Sequence, residues 1–377
     1  KPTRWNKNRL QLSEFSSQGF RNLSSETVFF GSGVTLVTGE NAQGKTSLLE
    51  ALALVCGQRS FRTAAMADMA HDGEQFRVEA VIDRGGVRER IGVAWSRGTG
   101  RQFRRGTKVS DFREVSTLAP AVFLAPEHRT LLTGAPSQRR RFLDRLVFGL
   151  KPAAADDLSR YATALRERNA LLGHARLGRN PGAPGELEAW TEELAVAGAA
   201  VRRHRRSALR IWSTAFGELS REAGGDYGRI RVAYAAGGDS AEDLRAACER
   251  LLAVERRRGY SLAGPHRDDL SWTRDGRPLS ALASAGEIAR TVALAKLAEW
   301  RVVAEAAGEP PLFAADDFDA GLSEAWVRGF LDQLPERATV LLTTSSTPAR
   351  WGLRAAAVLV VRDGSASPLP VLRAVEA

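Results

Sequence analysis

An α/β fold with an antiparallel β portion, interrupted by a helical arm, is the fold class the sequence predicts. Three observations predict it. A short apolar strand, a glycine-bearing loop and an apolar helix follow one another between Val34 and Val55. Two period-2 segments joined by a glycine turn come next. A long stretch of 3,4-spaced apolar positions from Leu187 to Ala215 then separates these from a second strand–helix–strand region beyond Tyr260.

Each element has its own signal. Leu10 and Leu12 alternate and are followed by Phe15. Val34 to Thr38 reads as a short buried strand, and a helical pattern begins at Thr46 with Leu48, Leu49, Leu52 and Val55. Phe76 to Ile82 and Val87 to Trp95 form a hairpin pattern across Asp83-Arg-Gly-Gly86. Leu158, Tyr161, Leu165 and Leu172 share one helical face, ended by the Gly/Pro-rich break from Gly178 to Gly185. Leu187, Trp190, Leu194, Ala197, Val201, His204, Ala208, Ile211 and Ala215 then form a heptad seam. Two helices joined by so short a break predict an antiparallel pair packed in an arm. A strand at Arg229 to Tyr234 and a helix at Ala241 to Arg257 complete the insert. Beyond it come a hairpin turning at Arg274-Asp-Gly276, a helix from Gly286 to Ala306 and a strand from Leu312 to Ala315. A helix from Ser323 to Leu334 and a strand from Ala338 to Thr343 follow, and strand–helix–strand spacing predicts parallel pairing. The expected organisation is residues 1–150, an arm at 151–258, and 259–377.

Composition bounds the function. With 377 residues, 44% hydrophobic and 26% charged, the chain has room for a sizeable core and for more than one domain, and it is not broadly disordered. Cys56 and Cys248 lie far apart, which excludes a disulfide framework or a cysteine-rich zinc site and predicts a reducing, cytoplasmic setting. No run of about 18 apolar residues occurs, so no membrane-spanning helix is expected. The chain opens at Lys1 without an apolar signal core, which reads as the loss of a few leading residues. The net charge of +10 points to a polyanionic partner, nucleic acid first. Arg139-Arg140-Arg141 with Arg145, the cluster Arg202, Arg203, Arg205, Arg206 and Arg210, and Arg256 to Arg258 are the candidate DNA-binding patches. Solvated helix faces or internal ion pairing are the competing reading of each. The Arg-rich balance leaves only Lys1, Lys7, Lys45, Lys108, Lys151 and Lys296 as lysines, so a lysine kept beside glycines stands out.

Lys45 is that lysine. Gly39-Glu40-Asn41-Ala42-Gln43-Gly44-Lys45-Thr46, followed by Ser47, fits G-x-x-x-x-G-K-[ST], with a strand before it and a helix after it. Glycines let successive amides curl inward onto a phosphate, and the helix adds the positive end of its dipole. Lys45 is placed to reach the β- and γ-phosphates and Thr46 to ligate Mg²⁺. Leu312-Phe-Ala-Ala-Asp316-Asp317 supplies the second half, an apolar strand ending in two carboxylates. Asp316 is expected to serve the Mg²⁺ and Asp317 to orient or deprotonate an attacking water. The aspartate side chain at 317 is one methylene shorter than a glutamate, which predicts slow hydrolysis.

At this point the residues resemble the RecF family of bacterial replication and repair ATPases, of the ABC/SMC class. The resemblance rests on Phe20-Arg-Asn-Leu23, the phosphate loop, Gly57-Gln-Arg-Ser-Phe-Arg62 and Phe123-Leu-Ala-Pro-Glu127. It continues in Gly134-Ala-Pro-Ser-Gln-Arg-Arg-Arg-Phe-Leu-Asp144, Arg168-Asn-Ala-Leu-Leu172, Gly264-Pro-His-Arg-Asp-Asp-Leu270 and Ser284-Ala-Gly-Glu287. The resemblance implies an ABC-type P-loop ATPase head that binds ATP and Mg²⁺. It implies an ATP-dependent homodimer, in which Ser284 and Gly286 of one copy meet the γ-phosphate held by the other. It also implies contacts of Arg21 and Asn22 with the nucleotide's base and ribose. DNA, double-stranded, gapped or at a single-strand/duplex junction, is the implied ligand, with RecR and RecO as protein partners and no membrane. The implied duties are gap repair, recombinase loading and the SOS response.

The chain departs from the family's pattern in places. Ala42 stands where a glycine is common, and Phe318-Asp-Ala-Gly-Leu-Ser323 carries a different set of acids after the carboxylate pair. The strand ending at Thr343 is followed by Thr344, with no histidine of the transporter type. Gln58 and Gln138 are the candidates for a Q-loop glutamine, and His266 and Arg267 for a place near a dimer interface. Two rival readings stay open: the ATPase subunit of a membrane transporter, and a DNA-binding scaffold with an idle nucleotide site.

Overall fold

The computed structural model describes residues 10–179, 183–320, 322–334, 338–346 and 355–369. The chain forms two compact units, one made of residues 1–128 with 295–377 and the other of 129–294.

The first unit opens with β1 (Leu10–Gln18), β2 (Val28–Phe29), β3 (Val34–Thr38) and α1 (Lys45–Val55). It continues through β4 (Gln75–Arg84), β5 (Val87–Ser96), β6 (Gly100–Arg105), β7 (Lys108–Ser110), α2 (Phe112–Leu118) and β8 (Ala121–Leu124). The second unit holds α3 (Thr130–Thr133), α4 (Pro136–Leu150), α5 (Ala155–Arg176), α6 (Glu186–Glu222), β9 (Ile230–Ala235), α7 (Ala241–Arg258), β10 (Asp269–Arg274), β11 (Arg277–Pro278) and α8 (Leu279–Leu282). Helix α9 (Ala285–Ala307) begins in the second unit and ends in the first, which closes with β12 (Leu312–Ala315), α10 (Glu324–Leu331), β13 (Val340–Thr344), β14 (Ala357–Arg362) and β15 (Ser365–Pro368).

Two sheets build the first unit. One is antiparallel, in the order β2-β1-β4-β5-β6-β7. The other runs β15-β14-β3-β13-β12-β8, parallel throughout except for the β14–β15 hairpin. The register of β1 on β4 shifts between Leu12 and Glu14, and that bulge is why the alternation at Leu10 and Leu12 steps by three to Phe15. Helix α1 is buried on every side, from Leu48 through Val55, and shares a core with Val37, Val78, Ile91 and Leu341. A helix with apolar residues all round has no solvent face to offer, so both sheets contribute to its surroundings. Glu50 is the exception in sequence but not in energetics. Its buried carboxylate takes two bonds from Arg21, at 2.9 and 3.0 Å, and one from Ser60 at 2.5 Å.

In the second unit α5 and α6 run antiparallel, with Arg160 on Glu193 and His204 on Asp157. Leu194, Ala197, Val201 and Ala208 are buried as the heptad pattern predicts, but Ile211 is exposed and Leu209, Trp212, Phe216 and Leu219 are buried instead. A straight α-helix drifts by about 20° per heptad from a 3.5-residue repeat, so over 37 residues the buried stripe leaves the predicted seam. The hairpin at Asp275-Gly276 pairs not with the parallel sheet but with β9, giving the three-stranded order β11-β10-β9. Helix α4 packs on α6 and β10. The second unit reaches from residue 129 to 294 and contains the segment 151–258 expected as the arm.

Four arginines of the basic clusters are engaged inside the fold. Arg202 is buried against Asp268 (2.7 and 3.0 Å), and Arg205 against Asp144 (2.8 and 3.0 Å). Arg139 forms a bidentate pair with Asp269, and Arg140 donates to the Asp268 carbonyl. The reading of these four as a DNA-facing patch is thus corrected: each is held within the fold. Arg203, Arg210 and Arg256 to Arg258 remain exposed. Among the described residues, no helix is long and apolar enough to cross a membrane.

Candidate active site

Strand β3 delivers the chain into the phosphate loop, and the loop ends in α1. Three residues there have positive φ: Gly39 (+151°), Ala42 (+66°) and Gly44 (+119°). At Gly39 a side chain would lie 2.4 Å from the Val361 carbonyl oxygen, so only glycine fits. Ala42 tolerates the left-handed region at a cost of about 1 kcal/mol. Gly44 is the N-cap of α1 and brings no side-chain acceptor, and the first turn holds no acid, so the helix start presents amides to any anion. The Lys45 amine folds back onto the carbonyls of Gly39 (2.7 Å) and Glu40 (2.8 Å).

The predicted carboxylates arrive from 270 residues away. Strand β12 lies beside β13, and β13 beside β3, so parallel pairing sets the end of β12 near the loop. The Thr46 hydroxyl donates to Asp316 Oδ2 at 2.8 Å. The Thr343 hydroxyl donates to Asp316 Oδ1 at 2.7 Å and accepts the Asp317 amide at 2.8 Å. Asp317 itself has φ +43°, a left-handed conformation held by that bond. One residue on, Thr344 and Ser346 both donate to Asp319, at 2.7 and 2.8 Å.

The carboxylates are short of positive charge. Burial pushes the Asp316 carboxyl up; hydrogen bonds from Thr343 and Thr46 pull it back, while Glu127 adds repulsion and Lys45 attraction. Burial and then the neighbouring Asp316 push Asp317 up as well. A buried carboxylate at Asp316 and a half-buried one at Asp317, beside the amide-presenting start of α1, fit a bound phosphate with a divalent cation between them.

Of the other expected residues, Asn22 touches the loop, with its amide on Ala42 O (3.2 Å) and its oxygen accepting from Ser47 (2.9 Å). Arg21 is committed to Glu50. Gln58 donates to the Ala121 carbonyl at 2.6 Å, and Gln138 accepts from Arg141 at 3.5 Å. Ser284 lies in the second unit and caps α9: its hydroxyl accepts the Glu287 amide (3.2 Å), and Glu287 accepts the Ser284 amide (2.9 Å). Ser284 is exposed there. His266 is internal, with Tyr161 Oη 2.5 Å from Nδ1 and the Ser261 carbonyl 3.1 Å from Nε2. Gly321 lies outside the described residues. Sequence reading missed Glu50, Glu127, Thr343 and the Asp363–Gly364 turn. Glu127 closed a quoted string and Thr343 ended a predicted strand, but neither was read as part of the site.

Comparison with known proteins places the chain in a family. The family model described as an AAA domain matches residues 15–130. A DNA replication and repair protein RecF from Deinococcus deserti is 34% identical over 372 residues, covering 96% of each chain. Its counterpart from Symbiobacterium thermophilum is 34% identical over 325 residues, covering 82% of this chain and 84% of that one. A solved structure of the recombination mediator protein RecF with ATP, from the RecFOR pathway, has a TM-score of 0.88 at 24% identity, covering 98% of this chain and all of that one. An SMC head domain from Pyrococcus furiosus has a TM-score of 0.50 at 14% identity, covering 96% of each chain. Fold and loop together define an ABC-type P-loop head interrupted by a helical insert. The chain belongs to the RecF family of DNA replication and repair proteins. Membership removes the transporter reading.

Proposed function

We propose that this protein binds ATP and hydrolyses it slowly, and that the nucleotide joins two copies into a DNA-holding dimer. The observation that carries the reading is the Thr46–Asp316 bond, which brings the two halves of the motif together across 270 residues. The amides of Asn41 to Thr46 and the Lys45 amine are the groups that would hold the triphosphate. Thr46 and Asp316 would hold Mg²⁺, which when bound offsets charge on the phosphate oxygens. Asp317, whose carboxyl burial and the neighbouring Asp316 push up, is the group to orient a water and accept its proton. Arg21 and Asn22 are read as the base and ribose contacts, and Ser47 as part of the loop's support. Ser284 and Gly286 open α9 and are the surface offered to a second copy's γ-phosphate. Duplex, gapped or junction DNA, with RecR and RecO as partners, follows from the RecF likeness, and so do the repair and SOS roles and a cytoplasmic setting.

Light scattering with and without ATP tests the proposal. Wild type is expected to double its mass with ATP, and Ser284→Arg to stay monomeric. Lys45→Arg is expected to bind nucleotide but lose at least about 100-fold in hydrolysis. DNA binding at two salt concentrations completes the test, since phosphate contacts weaken steeply with salt. A mass unchanged by ATP would overturn the dimer.

A further inference from the structure

Turning its amides inward leaves a phosphate loop with carbonyls that need donors from elsewhere. Lys45 serves Gly39 and Glu40. Those of Ala42 and Gln43 are served by distant chain. Asn22 Nδ2 donates to Ala42 O at 3.2 Å, and the Gly364 amide donates to Gln43 O at 2.9 Å. The Asp363 amide donates to Gln43 Oε1 at 2.6 Å. Both acceptors of Gln43 therefore end on the two-residue turn between β14 and β15.

That turn is fixed in its own right. Arg362 pairs with Ser365 across it, and Asp363 (φ +47°) and Gly364 (φ +79°) are both left-handed, as a tight hairpin requires. The Ser24 amide donates to Gly364 O at 2.9 Å, and the Ser365 hydroxyl bonds the Glu26 carboxylate. A side chain at 364 would lie 1.7 Å from the Asn22 carbonyl oxygen and 2.8 Å from its carbon. It would push on the residue whose side chain braces Ala42 and Ser47. The same surfaces meet from the loop side, less tightly, where a Cβ on Gly44 would sit 3.3 Å from Asn22 Nδ2 and 3.4 Å from Gly364 Cα.

We propose that the Asp363–Gly364 turn is a positioning element for phosphate binding: it holds the Gln43–Gly44 corner of the loop in its curled form, and nucleotide affinity depends on it. This rests on the nucleotide-binding reading above. The coupling runs both ways, so a bound nucleotide stabilises the turn in return.

Gly86 provides a matched control in the same unit. It has φ +83° in the β4–β5 turn, and nothing lies within 4 Å of an added Cβ. Gly364→Ala and Gly86→Ala thus carry similar backbone strain, but only the first presses on Asn22. Titration with a fluorescent ATP analogue, below each variant's melting temperature, is expected to show Gly364→Ala weakened by about tenfold or more and Gly86→Ala within about twofold of wild type. Tight binding by wild type and Gly364→Ala alike overturns the inference and leaves the nucleotide reading standing. Failure of wild type to bind overturns both. If Gly364→Ala does not fold, hydrogen exchange in the wild-type protein decides. Slower exchange of the Asp363 and Gly364 amides with the analogue present supports the coupling, and unchanged exchange overturns it.

Discussion

At the phosphate loop, Asp316 and Asp317 lie near Lys45, Glu127 repels the first and Asp319 the second, and both are pushed up in pKa. In the arm-bearing unit, Glu255 meets Arg168 at 2.7 Å, Asp268 meets Arg202, and Asp144 meets Arg205. Both regions bury charge, but only in the first are two carboxylates, Asp316 and Asp317, pushed up by burial and by neighbouring acids. Matched buried charges specify how helices and loops join. Unmatched ones create a demand that a ligand can meet. The difference teaches how to sort the chain's many arginines: by the acid each one faces, not by their clustering in sequence.

Breaking a matched pair should have the largest effect. Arg168 is buried and donates to Glu255, Thr191 and Ser261, so Arg168→Ala strands a buried carboxylate. Urea unfolding is expected to show a loss of about 3–5 kcal/mol. Replacing both partners with apolar residues of similar volume should recover most of it. Full stability in the single variant would mean that the arm's ion pairs are not architectural.

The unmatched region should respond in the opposite sense. Asp317 has its pKa raised by burial and by Asp316, so its charge costs stability in the nucleotide-free protein above the ordinary carboxylate range. Asp317→Asn is expected to raise the melting temperature at neutral pH while cutting ATP hydrolysis by about 100-fold or more. A variant both less stable and fully active would remove Asp317 from the site.

A pH titration sharpens the comparison next. Burial depresses the His266 imidazole from 6.5 to about 4, and Arg267 and Arg140 add to the effect while Asp268 opposes it. The Ser261 carbonyl can only accept, so Nε2 carries the proton and Nδ1 accepts from Tyr161. The folded form resists protonation, so this contribution is complete above pH 6.5 and is lost as pH falls toward 4. Denaturation midpoints measured from pH 7 to 4 should decline in wild type and decline less in His266→Gln.

The smallest effect is expected at the arginines left outside. Arg203 and Arg210 are exposed, and among the described residues neither faces an acid. Alanine at either position should change stability by less than about 0.5 kcal/mol. If α6 contacts DNA, the salt dependence of binding should become shallower by close to one charge.

Much of the head was legible in advance. Strand β3 and the phosphate loop were readable because each is a local pattern: an apolar run, glycines at fixed spacing, a helix start. Strand β12 and its two aspartates were readable for the same reason. The weakest reading was along α6, where a seam chosen by heptads predicted Ile211 inside and missed Trp212. Periodicity reports a helix but not its phase against neighbours over ten turns. The hairpin of β14 and β15 escaped because Asp363-Gly364 is an ordinary turn signal whose importance lies in what it touches.

By itself the sequence determined the chemistry on offer: which loop can curl around a phosphate, and which strand ends in carboxylates. Those properties follow from backbone freedom and side-chain type within a few residues. Only the tertiary structure decided which charges are balanced and which remain open. That balance is a matter of distance in space, and Arg202 with Asp268, Thr46 with Asp316, and Gln43 with Gly364 are brought together across 66, 270 and 321 positions of chain.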